Sequence, residues 1–267
     1  MLDEPYRWLQ AVENRIQYIE KRLRPASPVV GLPYEHGAFL FTVSPSGQRK
    51  LFEVYDGLAL GALGHPADVE RLRMMAINVA HTEGFVRSAQ DVTLQRLLTF
   101  GIAPQVKSAF DEVFRSPFIA KLLMVELLPT DHASQFFTLS FDGNFGSRTE
   151  YGIAAGTPQA EELMERTIRD ALPPPTSLAD AVRCAARAWA VGYFVVTKTP
   201  EYEQLPMPSE ADIRTTLAEV REGHTFEAAV LDKTLVGRSK YRTLSLEELA
   251  PIDEVLEADD PPADEAS

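Results

Sequence analysis

Apolar residues in the first 24 positions fall at helical spacing. Trp8, Ala11, Val12, Ile16, Ile19 and Leu23 recur every three or four residues with charges between them, which predicts an amphipathic helix over 7–24. Pro25 and Pro28 stop it. The period then changes. Val29–Leu32 and Ala38–Val43 are apolar runs flanking Glu35-His36-Gly37, the pattern of a hairpin. A second pair, Lys50–Tyr55 and Leu58–Leu63, surrounds Asp56-Gly57, a strong hairpin dipeptide.

Two helical patterns follow, over about 66–83 and 89–114, the second with Asp91 and Gln95 near its start and Pro104 as a kink inside it. Strands are predicted at about 119–128, 135–141 and 147–154, with Asp142-Gly143 as a turn between the last two. Thr157-Pro158 opens a helix to about 172. Ser177 and Asp180, an N-cap and an acid at the third helical position, open another to about 191. Residues 193–223 are less regular: an apolar run, a proline-containing loop and a helix over about 209–221. Strands at 226–232 and 241–244 and a small helix from Ser245 complete the chain.

Strands, two helices, strands, two helices, strands: runs of each type rather than strict alternation indicate α+β. The order suits a four-layer αββα sandwich, with two antiparallel sheets between two helix layers. At 267 residues such a domain buries roughly 70–75% of its unfolded surface and needs no disulfide or metal to fold.

Charge narrows the partners. The net charge of −13 argues against nucleic acid or an anionic membrane. Residues 253–267 hold seven acids and no base, the composition of a disordered tail. No apolar run approaches the roughly 20 residues of a membrane span, and the N-terminus has no signal core, so the expected location is cytoplasmic. Cys184, in an alanine-rich helical pattern, reads as a buried, inert thiol. The histidines at 36, 65, 81, 132 and 224 lack metal-ligand spacing, no glycine-rich phosphate loop is present, and no cofactor is expected. Glu161-Glu162 reads as a solvated helix face and Met74-Met75 as a helix contact.

A colinear set of segments carries a resemblance. Ser27-Pro28-Val29-Val30-Gly31-Leu32 with Tyr34 and Gly37, Lys50-Leu51-Phe52-Glu53-Val54-Tyr55-Asp56, Gly61-Ala62-Leu63-Gly64, Leu72-Arg73, Ile77–Gly84 and Asp91-Val92-Thr93 come in order. Ser177-Leu178-Ala179-Asp180-Ala181, Glu227–Asp232 and Leu246–Leu249 follow. Over about 10–192 and 224–250 the chain resembles the α-type subunit of the bacterial 20S proteasome, of the actinobacterial type that also bears a charged C-terminal tail. It departs from that type at Tyr193–Glu222, which is longer and holds the extra helix.

The resemblance implies the N-terminal-nucleophile hydrolase fold without its chemistry. Active β-type subunits use a threonine freed at the chain start, tuned by a lysine and an aspartate. Here Ser27 falls at the nucleophile position, followed by Pro28, and Val43 falls where the aspartate would be, so no catalytic residue and no peptidase activity are expected. The implied domain over 7–252 carries the insertion 193–223, between an axial segment 1–6 and the tail. Met1, Leu2, Asp3, Glu4, Pro5 and Tyr6 would form the gate; Trp8, Ile16, Ile19 and Leu23 would contact neighbouring subunits of the ring. Lys50, with Arg49 adjacent, would line a pocket between adjacent α subunits that takes the C-terminal carboxylate of a ring-shaped activator. The implied partners are further copies in a heptameric ring, β subunits in an α7β7β7α7 core, a hexameric AAA ATPase, and protein substrates in transit, tagged with a small ubiquitin-like modifier. The alternative is a self-sufficient hydrolase of the same fold with a cleaved N-terminal nucleophile; a third reading is a stand-alone binding protein using the insertion.

Overall fold

The computed structural model of the chain describes residues 4–45, 47–112, 115–129, 134–171, 177–198 and 206–257. It opens with α1 (Glu4–Leu23). Two antiparallel hairpins follow, β1 (Val29–Tyr34) with β2 (Gly37–Pro45) and β3 (Leu51–Tyr55) with β4 (Leu58–Gly64). In the second turn Gly57 takes φ +72°, left-handed backbone that glycine adopts without steric strain. Next come α2 (Pro66–Val86) and a continuous helical run of α3 (Leu94–Arg96), a π turn (Leu97–Ile102) and α4 (Ala103–Asp111). The expected disturbance at Pro104 is this π turn: proline has no N–H for the carbonyl four residues back, and a widened turn accommodates the loss.

Then follow β5 (Ala120–Leu127), β6 (Ser134–Leu139), β7 (Phe145–Arg148) and β8 (Gly152–Ala154), and after them α5 (Pro158–Ala171) and α6 (Leu178–Lys198). The chain continues through α7 (Glu210–Arg221), β9 (His224–Asp232), β10 (Tyr241–Thr243) and α8 (Pro251–Glu257). The protein is α+β with two five-stranded sheets, ordered β10-β9-β2-β1-β8 and β3-β4-β5-β6-β7, each pairing antiparallel.

Several boundaries differ from the sequence reading, among them the start of the helical run expected at 89, which begins at Leu94 after a short 3-10 turn over Ala89–Asp91. The single strand expected over 147–154 is two, β7 and β8, one in each sheet. The helix expected to end near 191 runs to Lys198, because Val195 and Val196 are buried in the core. The closing helix starts at Pro251 rather than Ser245, and it takes in residues 253–257 of the expected acidic tail because Ile252 and Val255 are buried; residues 258–267 lie outside the described residues. The helix expected to reach 114 ends at Asp111. At the other end α1 begins at Glu4 rather than Arg7, so the backbone of Glu4, Pro5 and Tyr6 is helical, with Pro5 in the first turn where it is tolerated. Met1, Leu2 and Asp3 lie outside the described residues.

Buried side chains fall into three clusters that follow the period-2 alternation of the strands. Phe39, Phe41 and Val43 of β2 pack with Met164 of α5, Trp189 of α6, Leu217 of α7 and Val255 of α8. Leu60 of β4 and Met124 of β5 pack with Leu72 of α2 and Leu98 of the π turn. The intervening residues, Ala38 and Leu40 of β2, Ala59 and Leu63 of β4, Leu123 and Val125 of β5, join the two sheets. The contact is close: a Cβ on Gly61 would lie 2.6 Å from Val29 Cγ1. Ile19 and Leu23 of α1 belong to this inter-sheet cluster, at 0% and 1% exposure. These two predicted ring-contact residues are therefore enclosed by their own chain, whereas Trp8 is 48% exposed and Ile16 partly so. No helix among the described residues is long and apolar enough to cross a membrane.

Candidate functional site

Lys50 lies just before β3, where Glu227 of β9 holds the backbone. The Glu227 carboxylate accepts from Lys50 N (Oε2, 2.9 Å), Leu51 N (Oε1, 2.9 Å) and the Ser44 hydroxyl (3.4 Å). Register places it there: Glu227 pairs with Thr42 across β2 and β9. The Lys50 ammonium points toward the start of β1. Its Nζ donates to the Ser27 carbonyl oxygen at 2.8 Å and to Thr42 Oγ1 at 3.3 Å. Thr42 Oγ1 in turn donates to the Pro28 carbonyl at 2.7 Å.

This ammonium is held by neutral oxygens. Burial lowers its pKa from 10.5 to about 7, with the negative Glu227 opposing that shift. An ammonium has three donors; two are engaged here, and Lys50 also lines a pocket of about 210 Å³ with Ser27, Pro45, Trp189, Tyr193 and His224, among others. The Trp189 and Tyr193 rings stack at 4.7 Å between centroids. Arg49, the neighbouring candidate, is exposed, so Lys50 is the residue in the pocket.

Ser27 stands beside the lysine, but its hydroxyl is committed elsewhere. Oγ donates to the Val43 carbonyl at 2.5 Å and accepts from Trp189 Nε1 at 3.0 Å. Its nitrogen is part of the Ala26–Ser27 peptide bond. Val43 is an apolar core residue, so it brings no carboxylate to this spot.

The remaining candidates scatter. His65 accepts from Ala67 N and caps α2, His81 packs edge-on against Tyr55, and His36 stands 3.9 Å from Glu35. His132 lies outside the described residues. Among the described residues no group of three or more His, Cys, Asp or Glu could hold a metal ion. The Cys184 thiol is buried and its pKa pushed up to about 12, far from a reactive thiolate. Met74 is exposed and Met75 packs against the core under α2. Glu161 is less solvated than its sequence suggests: it pairs with Lys121 at 2.7 Å and accepts from Ala155 N. A larger groove, about 510 Å³, lies along β7, β8 and α5. Of its lining groups, Glu165 meets Arg148 at 2.9 Å and also Arg169 at 2.7 Å. The smaller Lys50 pocket brings a desolvated lysine together with Tyr193 and His224.

Sequence reasoning singled out Lys50 but not the residues around it. Glu227 carried one signal, an acid inside the apolar strand pattern FEAAVLD. Trp189, Tyr193 and His224 carried none, since only the fold brings α6 and the start of β9 to Lys50.

No family model matches the chain. It is 28% identical over 184 residues to the proteasome subunit alpha of Frankia alni, covering 68% of this chain and 74% of that protein. Against the proteasome subunit alpha of Actinosynnema mirum it is 25% identical over 257 residues, 96% of this chain and 89% of the other. Against that of Xylanimonas cellulosilytica it is 30% identical over 161 residues, 59% and 63% of the two. These matches, which reach 96% of the chain, make it similar to the proteasome alpha subunits of actinobacteria.

Proposed function

We propose that this chain is a non-catalytic alpha subunit of a bacterial proteasome core, taking part in protein degradation as scaffold and docking face. In this reading its sheets and helices form a four-layer αββα sandwich of the N-terminal-nucleophile hydrolase type. Copies close into heptameric outer rings on β rings that supply the threonine chemistry. The residues before and at the start of α1, Met1 to Tyr6, obstruct the axial pore, and Trp8 contacts the neighbouring subunit. Lys50 receives the C-terminal carboxylate of a hexameric ATPase that delivers tagged proteins.

The observation that carries this reading is the state of Ser27. A nucleophile of this fold needs a free amine as its base and a carboxylate to tune the lysine. Ser27 has an amide nitrogen, a hydroxyl donated to a main-chain carbonyl, and Val43 in the carboxylate's place. Lys50 beside it contacts the Ser27 main chain and Thr42 rather than the Ser27 hydroxyl, which suits binding an anion better than activating a hydroxyl.

The test is reconstitution. Purified alone, the chain is expected to cleave no peptide, with Ser27→Ala making no difference. Co-expressed with a β partner it is expected to form stacked rings by negative-stain imaging. Lys50→Ala should weaken ATPase binding and leave the rings intact, and deletion of residues 1–6 should speed hydrolysis of long unfolded substrates. Peptidase activity of the chain alone, abolished by Ser27→Ala, would refute the reading.

The second reading, a hydrolase with Ser27 freed by cleavage, draws on the 2.8 Å contact between Lys50 and the Ser27 main chain. Intact mass separates the two: a mature chain starting at Ser27 supports the hydrolase, one starting at Met1 the scaffold.

A further inference from the structure

We propose that copies of this chain meet flank to flank, with the β9–β10 hairpin of one copy seated in the groove along β7, β8 and α5 of the next, and Arg238 paired with Glu162 across the contact. The inference rests on the ring reading above and supplies the two surfaces that join the copies.

Sheet order sets the geometry. β10 ends one sheet and β8 ends it on the other side, while β3 and β7 are the two ends of the second sheet. β9 lies over β3, and β8 over β5 and β6. The hairpin and the groove therefore occupy opposite flanks of the stacked sheets. Unlike surfaces on opposite flanks make a head-to-tail contact, which each added copy repeats until a ring closes. Like surfaces would stop at two copies.

The flanks also differ in charge. In a chain of net charge −13, the hairpin loop Lys233–Lys240 holds three bases and no acid. The groove is lined by Glu161, Glu162 and Glu165 against one base, Arg148. Glu161 is engaged with Lys121, Glu165 with Arg148 and Arg169, and Lys240 with the Leu235 carbonyl. Glu162 and Arg238 are exposed, and neither has an ion-pair partner among the described residues. One unpaired acid thus lines the groove, and one unpaired base stands on the loop at the far flank.

Shape fits the same pairing. The loop is braced from within: Asp232 N donates to the Lys240 carbonyl and Thr234 N to Asp232 Oδ1, each at 2.8 Å, so little order remains to be imposed on docking. It presents Val236, fully exposed, beside Gly237 at φ +111°. The groove is open along β7, where a Cβ on Gly146 would meet nothing within 4 Å.

The test uses the full-length chain co-expressed with a β partner, its assemblies weighed by mass photometry. Arg238→Glu sets like charges against each other and should lower the assembled fraction about tenfold; Glu162→Arg should do the same. The double reversal, Arg238→Glu with Glu162→Arg, should restore most of it. Gly146→Phe, which fills the groove, should also lower assembly, and circular dichroism melts establish that each variant is folded. A chain carrying both Arg238→Cys and Glu162→Cys should give a ladder of disulfide-linked copies on mild oxidation. A linked dimer from either cysteine alone would mean that like surfaces meet, and overturns the proposal. If the reversals assemble like the unaltered chain and no ladder forms, the hairpin contact is overturned and the ring reading stands. If the unaltered chain forms no rings, both fall together.

Discussion

Lys50 Nζ donates to the main-chain oxygen of Ser27, at 2.8 Å, and not to its side chain. The Ser27 hydroxyl turns the other way, to the Val43 carbonyl and the Trp189 indole. Lysine and serine are adjacent, yet no proton path joins Nζ to Oγ. The serine works as a structural clip between the start of β1, the end of β2 and α6.

Ser27→Ala should accordingly change stability and not chemistry. The substitution leaves the indole N–H of Trp189, which is 0% exposed, without its acceptor. An orphaned buried donor costs about 1–3 kcal/mol. Urea unfolding should show a loss in that range, and a neutral result would mean that the Trp189 contact contributes nothing to stability.

The desolvated lysine makes a pH prediction whose sign is fixed. Lys50 has its pKa lowered from 10.5 to about 7, so between those values the unfolded chain binds a proton that the folded chain does not. Stability from this group is lowest below pH 7 and rises as pH climbs toward 10.5. The charged groups around it are Glu227 on β9 and the exposed Arg49 beside it, with Tyr193 on α6, Tyr241 on β10 and His224 on β9 nearby. Only Glu227 opposes the shift appreciably. Measured against Lys50→Met, the stability of the unaltered chain should gain with a slope of up to about 1.4 kcal/mol per pH unit in that window. A flat difference from pH 7 to pH 10 would show that the ammonium is fully hydrated.

Helix α1 tests whether the first 26 residues are disposable. A propeptide can leave without disturbing the core. Ile19 and Leu23 are inside it, and Arg15 donates to the carbonyls of Phe110 and Glu112 at the end of α4, each at 2.8 Å. Ile19→Ala should therefore cost about 2–5 kcal/mol in chemical denaturation. A loss under about 1 kcal/mol would favour the cleaved-hydrolase reading.

How far the sequence revealed this site depends on the range of the forces involved. The hairpin at Asp56-Gly57 was legible because turn chemistry is local: glycine is what φ +72° requires. The segment over 147–154 was not, because nothing local says that Arg148 ends a strand in one sheet and Gly152 begins one in the other. Tyr193-Phe194-Val195-Val196 has β-branched and aromatic residues that weaken a helical pattern, and burial against the core overrides that preference. Lys50 was visible through a resemblance along the chain. His224 was one of five scattered histidines, and only the pairing of Pro45 with His224 brings it to the pocket.

Helix α7 decides whether the segment expected as an insertion is an ornament or part of the core. Ile213, Thr216, Leu217 and Val220 are buried at the spacing of one helical face. Around that face Arg187 pairs with Glu210, Arg221 with Asp253 at 2.5 Å and Lys198 with Glu219 at 3.7 Å, tying α7 to α6 and α8. The pairs are partly exposed, so each contributes under about 1 kcal/mol; the apolar face carries the attachment. Leu217, at 0% exposure, sits in the same cluster as Trp189 and Phe41. Leu217→Ala should lower global stability by about 2–5 kcal/mol in one cooperative transition, while loss of the cap in Ser209→Ala costs about 1 kcal/mol. An ornamental helix would melt early and separately. Amide hydrogen exchange distinguishes the cases: in Leu217→Ala the amides of β9 should lose protection together with those of α7, because Val230 of β9 packs in the same cluster.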